Sequence, residues 1–237
     1  MGNLQVPLAI VPIQNGRHDM TVQPAFAQDP DELFDVITED GAPTGIFKRR
    51  ADVHRDGDWH RAIHVWVYGV QDDIPFLLFN QRGRHKDTWP GVLDVTVGGH
   101  LAAGETIEQA FREVEEEIGI VADPANLHFL ETRKAYGKIE RELQDVFLYR
   151  NDRPLGDYRP NPAELEGLVR IALPDAVAIF NGQAISAEAT ILDAANLTIR
   201  PITVSPAILL PDRYHPYHLG IAQAIQDIVR DGAGRVP

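Results

Sequence analysis

The stretch Gly98–Ile120, GGHLAAGETIEQAFREVEEEIGI, constrains this chain more than any other. It carries six glutamates (Glu105, Glu108, Glu113, Glu115, Glu116 and Glu117) against one arginine, Arg112. Thr106 and Gln109 have the spacing of a capping box, so a helix is expected to begin there. Gly119 is placed to end it. At about 100° per residue, Ile107, Phe111, Val114 and Ile118 form one apolar stripe, the face that must be buried. Glu113, Glu116 and Glu117 are three and four positions apart and share a different face. Glu108 and Glu115 are expected in solvent. Like charges at such spacing cost a helix about 0.2–0.5 kcal/mol per pair, so the cluster needs a reason. A hard divalent cation supplies one: Mg²⁺ takes one or two carboxylates and fills its other positions with water and substrate phosphate. The same run also fits a plain solvated face on an acidic protein.

The chain is acidic throughout, with net charge −13 over 237 residues. Nucleic acid is therefore not expected as a partner, and a small phosphorylated ligand must meet a local basic patch or a metal. The absence of cysteine excludes disulfides, thiolate metal sites and a thiol nucleophile. The apolar run of the N-terminus is broken by Pro7 and Pro12 and lacks a basic lead-in, so no signal peptide is expected. No stretch reaches membrane-spanning length, and a cytoplasmic location is the expectation.

Along the chain, residues 1–30 read as an extended arm. Leu33–Thr38 and Gly45–Lys48 read as a hairpin turning at Asp40-Gly41. Arg61–Tyr68 and Pro75–Asn80 read as strands around the turn Asp72-Asp73. Leu127–Tyr136, Glu142–Arg150 and Glu166–Leu173 are further strands, and Pro174–Phe180 opens a short helix. This order argues an α/β (α+β) chain, a mixed sheet with helices on its faces. The main domain is expected over 31–182. A C-terminal extension, 183–237, is expected to carry possible strands at Ala189–Leu192 and Leu197–Ile202. Its amphipathic helix, from His215 to Arg230, is expected to pack on the domain. Tyr214, His215, Tyr217 and His218 either anchor that helix start or line a pocket.

The segment from GGHLAAGE to REVEEEIGI strongly resembles the Nudix box, the loop–helix–loop signature of enzymes that cleave diphosphates linked to another moiety. Arg112, Glu113, Val114, Glu116, Glu117, Gly119 and Ile120 match it position by position. One departure stands out: Glu105 and Arg112 enclose one residue fewer than the family pattern. That deletion is expected to rotate Glu105 by about 100° against the metal-binding face. The resemblance implies a helix–sheet–helix sandwich and Mg²⁺ or Mn²⁺ held by Glu113, Glu116, Glu117 and the Gly99 carbonyl. Arg112 is expected to hold a neighbouring carboxylate, Glu116 four positions on. Arg82, Lys86, Lys48 and Arg49 are the candidates for substrate phosphate. The general base is either a box glutamate or Glu164 or Glu166.

A narrower resemblance runs from about Glu32 to Phe180 and includes HRDGDWHR, KDTWPGVLDVTVGGHL and ERELQDVFL. It is similar to the branch holding type 1 isopentenyl diphosphate isomerases and isomerase-like Nudix hydrolases. In those isomerases three histidines and an E-x-E pair build a metal site, matched here by His54, His60, His100, Glu140 and Glu142. Imidazole with carboxylate suits Mn²⁺ or Zn²⁺ better than Mg²⁺. A hydrogen-bonded polar core is the expectation adopted for these residues, with a second metal as the alternative. The isomerases also use a cysteine where this chain has Gly98. Removing that acid–base partner should collapse isomerisation.

The reading is a metal-dependent pyrophosphohydrolase acting on a small diphosphate, a homodimer being compatible with it. The alternatives are an isomerase and a catalytically silent binding module.

Overall fold

The computed structural model describes residues 29, 31–86, 89–137 and 141–233. The expected N-terminal arm, apart from Asp29, lies outside them, as do Asp87, Thr88 and Glu140.

A long central strand, β3 (Trp59–Gln71), organises the molecule because its side chains are buried on both faces. It follows a hairpin, β1 (Leu33–Ile37) and β2 (Pro43–Arg49), and a short helix, α1 (Arg50–Asp56). Asp72 and Asp73, at φ 51° and 61°, make the tight turn from β3 into β4 (Ile74–Arg82). Two positive φ values at a two-residue hairpin match the twist of the strands, and aspartate tolerates them. β5 (Leu93–Asp94) and β6 (Val97–His100) lead into α2 (Ile107–Ala110) and α3 (Arg112–Ile118). Then come β7 (Leu127–Tyr136), β8 (Arg141–Arg150), β9 (Leu165–Ala172) and α4 (Leu173–Phe180). β10 (Ala187–Asp193), β11 (Ile199–Val204) and α5 (His215–Ala233) follow.

All the strands belong to one mixed sheet, running β11-β10-β9-β4-β3-β1-β2, with β6 and β8 also on β3. β3 and β8 pair in parallel from Trp59↔Arg141 to Tyr68↔Arg150, while β4, β9, β10 and β11 are antiparallel neighbours. Side chains alternate across the sheet with period 2, and the alternation builds two cores. Val65, Val67, Phe147 and Leu168 face the core that buries Val114 and Ile118 of α3. Trp66, Val146, Leu148 and Val169 face the other, which buries Phe180 of α4 and Ile221 and Ile225 of α5. Helices therefore cover both faces, the sandwich expected. Val114 and Ile118 are fully buried, and each contributes about 1.5–3 kcal/mol.

The segment beyond residue 182 extends the same sheet through β10 and β11, and α5 packs on α4. A parallel bridge between Leu93 and Leu209 ties its far end back to β5. Among the described residues no helix is long and apolar enough to cross a membrane.

The acidic helix differs from its expectation. Its capping box forms, with Thr106 N–H donating to Gln109 Oε1 (2.9 Å). Gly119 ends the run in the left-handed region at φ 72°. Between them the helix is broken at Phe111 into α2 and α3.

Candidate functional site

One face of α3, the end of β6, the start of β8, α1 and the loop before β9 converge on one cavity of about 950 Å³. Glu113, Glu116, Glu117 and Gly99 line it, with Glu164, Arg82 and Lys86. Glu117 is only 6% exposed, and its Oε2 has no hydrogen-bond partner among the described residues. Burial, then the neighbouring Glu113 and Glu164, push its carboxyl well above the usual range. Burial likewise raises Glu113 to about 7, against the opposing pull of Arg112. Glu116 is the outer member, its side chain 58% exposed.

Gly99 is a steric requirement of this arrangement: a Cβ there would stand 2.3 Å from Glu113 Cγ. Arg112 holds the carboxylates together. Its Nη1 donates to Glu113 Oε1 at 2.9 Å, and its Nε lies 3.4 Å from Glu105 and 3.8 Å from Glu116. The expected Glu116 partner is therefore the longer contact, and Glu113 the shorter. Glu105 also accepts from Ala102 N–H (2.9 Å). It stays on Arg112, outside the cavity lining.

The phosphate candidates divide. Arg82 pairs with Asp94 (3.0 Å) and Lys86 with Glu164, both at the cavity. Lys48 instead spans Asp56 and Asp58 (3.1 and 2.6 Å), and Arg49 pairs with Asp31 (3.3 Å). Neither lines the cavity, because β2 ends at Arg49 and α1 turns the next residue, Arg50, into it. Glu166 pairs with Arg84 (3.3 Å), away from the lining, which leaves Glu164 as the cavity-facing member of that pair.

The second constellation also assembles. Ring nitrogens of His54, His60 and His100 lie within 4.8 Å of one another, with Phe34 stacked on His60 and His100. Glu142 Oε1 is 3.1 Å from His100 Nε2 and 3.7 Å from His60 Nε2. Burial would raise the Glu142 carboxyl, but His100 and His60 hold it well below its usual range. Burial keeps His54 neutral, its pKa falling to about 4, and likewise His100, to about 3. Hydrogen bonding sets the tautomers. Arg50 is donor-only, so His100 Nδ1 accepts from it (3.0 Å) and His100 Nε2–H donates to Glu142. The Asp58 carbonyl is acceptor-only, so His60 Nδ1–H donates to it (3.1 Å). His60 Nε2, 3.7 Å from Glu142 Oε1, and His54 Nε2 are both buried without a hydrogen-bond partner among the described residues. The hydrogen bonds of His60 and His100 are those of a polar core, and the two unpaired imidazole nitrogens are the donors that a cation of the imidazole-binding class would take. Glu140 lies outside the described residues.

Sequence reasoning missed Glu32, Arg50 and Arg133, all at the cavity. Arg50 and Arg112 lie 4.0 and 3.9 Å from Glu32, so one carboxylate links the histidine cluster to α3. Only the adjacency of Arg50 to Lys48 and Arg49 hinted at it. Of the aromatic run before α5, Tyr214, Tyr217 and His218 line the cavity. His215 instead bonds the Leu210 carbonyl (3.1 Å) and anchors the helix start.

Carboxylates interleaved with guanidinium and ammonium groups around one cavity are the chemistry of an enzyme for small polyanions. Its oxygen donors suit a hard cation. Residues 58–191, more than half of the chain, match the family model described as NUDIX domain. An uncharacterized Nudix hydrolase of Clostridium acetobutylicum is 35% identical over 149 residues, 61% of this chain and 72% of its own. An isopentenyl-diphosphate Delta-isomerase of Brevibacterium linens is 34% identical over 141 residues, 56% of this chain and 73% of its own. Nudix hydrolase 3 of Arabidopsis thaliana is 47% identical over 91 residues, 38% of this chain but only 12% of that longer protein. A crystal structure from Deinococcus radiodurans superposes with TM-score 0.48 at 21% identity, covering 64% of this chain and 90% of that one. The chain belongs to the Nudix family, a family of hydrolases that act on pyrophosphate bonds.

Proposed function

We propose that this chain is a metal-dependent pyrophosphohydrolase that cleaves the diphosphate of a nucleoside diphosphate derivative or a related small diphosphate. The observation that carries the reading is the pair Glu113 and Glu117. They stand side by side at the cavity, Glu117 buried with an unpartnered oxygen and Glu113 half-buried with its pKa raised to about 7, at an energetic cost that a cation would offset.

Glu113, Glu117, Glu116 and the Gly99 carbonyl would hold Mg²⁺ or Mn²⁺; their all-oxygen donor set fits either. The cation would supply charge neutralisation at the diphosphate and acidify the attacking water. The chain's own groups do the rest. Arg112 fixes the orientation of Glu113 through its 2.9 Å bond. Arg82 and Lys86 bind phosphate oxygens. Glu164, held by Lys86, takes the proton from water as it attacks phosphorus. The test is a panel of diphosphates assayed with Mg²⁺ or Mn²⁺ and with EDTA. Turnover should stop in chelator and return with either metal, and full turnover in EDTA would overturn the mechanism.

Relatives named isopentenyl-diphosphate Delta-isomerase bring a second reading, to which the histidine cluster belongs. Against it stands the lack of any thiol in the chain, with Gly98 where those isomerases place their cysteine.

A further inference from the structure

The cavity is at the upper end of the range for small-molecule sites, about 300–1,000 Å³, so it has room for more than a diphosphate. Part of its wall comes from outside the Nudix match, which stops at residue 191. The segment before and into α5 contributes Arg213, Tyr214, Tyr217 and His218.

Those residues have a common chemistry. Trp89 and Tyr214 meet edge to face, 6.2 Å between ring centroids, and the Arg213 guanidinium lies 5.3 Å and 4.8 Å over them. Trp89 is 37% exposed, an indole left open at the cavity. Tyr217 carries the Arg133 guanidinium at 3.8 Å and is fixed from behind by Trp66 Nε1–H (2.8 Å) and His64 (3.0 Å). These planar, electron-rich and cationic faces are the surfaces on which flat rings stack.

A second, independent observation concerns polarity. Asn80, Gln144 and His218 belong to the lining, whose accessible surface is more polar than apolar. An alkyl chain would desolvate that surface without pairing it, whereas a heterocycle brings donors and acceptors on its edge.

We propose that Trp89, Arg213 and Tyr214 form a subsite for a flat heteroaromatic ring carried on the diphosphate, so that the C-terminal segment selects the leaving group. This rests on the reading of Glu113 and Glu117 as the diphosphate site. Aliphatic diphosphates reach the same carboxylates but leave the ring subsite unfilled.

The test uses the full chain with Mg²⁺ and three non-hydrolysable probes, measured by calorimetry. They are methylenediphosphonate, its isopentenyl ester, and α,β-methylene-ADP. The ADP analogue should bind about tenfold or more tighter than the isopentenyl ester, the scale of aromatic–base stacking. Trp89→Ala or Arg213→Ala should remove most of that gain, with the loss confined to the ring-bearing probe, and Trp89→Phe should restore it. Both positions are partly or fully exposed, so the variants should fold, as thermal unfolding will show. Equal binding of the two esters, or a ring gain that survives both alanine variants, would overturn the subsite while leaving the hydrolase reading intact. Failure of methylenediphosphonate itself to bind with Mg²⁺ would overturn both.

Discussion

Gly99→Ala isolates the geometry of the carboxylate wall without touching a charge. The new Cβ would lie 2.3 Å from Cγ, 2.6 Å from Cδ and 2.9 Å from Oε1 of Glu113. Ordinary carbon contacts are about 3.5–4.0 Å, so the Glu113 side chain must move by about an ångström. Gly99 is held in place, because β6 pairs it with Ile63 of the central strand β3. The overpacking should cost about 1–3 kcal/mol of stability, a fall of a few degrees in Tm for a chain of this size. The larger effect is functional: a carboxylate displaced by an ångström should lower kcat/KM on the order of 10²-fold. Gly98→Ala is the control, since its Cβ meets only Val95 Cγ1 at 3.2 Å and His64 at 3.8 Å. Steady-state hydrolysis and thermal unfolding of both variants decide the matter. A Gly99→Ala enzyme with wild-type kcat/KM, or one whose loss matches its unfolded fraction, would refute the reasoning.

Three further outcomes follow from the same geometry. Glu113 has a folded pKa near 7, above its unfolded value, so the metal-free fold prefers it protonated. Its contribution then declines by about 3 kcal/mol as pH rises from about 4.5 to 7; the Tm gain on adding Mg²⁺ should be larger at pH 8 than at pH 5, and a pH-independent gain would contradict this. At the second cluster, with the carboxylate site saturated by Mg²⁺, added Zn²⁺ should raise the Tm of the wild type more than that of His60→Asn, whereas equal Zn²⁺ responses would return His60 to a structural role. Isopentenyl diphosphate should show no enzymatic deuterium exchange at its allylic position, and a clear exchange signal would restore the isomerase reading.

Much of the fold was legible because hydrophobic periodicity and turn chemistry agree locally. The Asp72-Asp73 turn, the capping box at Thr106 and the αL stop at Gly119 all formed where their residues demanded. Two local features were not legible. α1 is only seven residues, too short for a periodic pattern to stand out, and it is stopped by Gly57 at φ 68°. The break falls at Phe111, whose ring packs edge to face on Phe147, a partner far along the chain. The same limit applied at the site. Glu113 and Glu117 could be read from helix spacing, but Lys48 and Arg49 could not be told from Arg50 without knowing where β2 ends. Glu32 reaches Arg112 only through the tertiary fold, and nothing in its neighbours announces that.

The central claim is that the cavity-facing carboxylates of α3 do the work through a bound cation, and Glu117→Gln tests it most directly. The substitution keeps size and burial but removes the charge, in a position where burial already disfavours the ionised form. The fold should therefore persist with Tm unchanged or higher. Titration of Mn²⁺ into the metal-free chain, paired with the rate on the best diphosphate of the panel, should show weakened metal binding and a rate lower by about 10³-fold or more. A Glu117→Gln enzyme that binds Mn²⁺ normally and turns over at near wild-type rate would place the chemistry elsewhere.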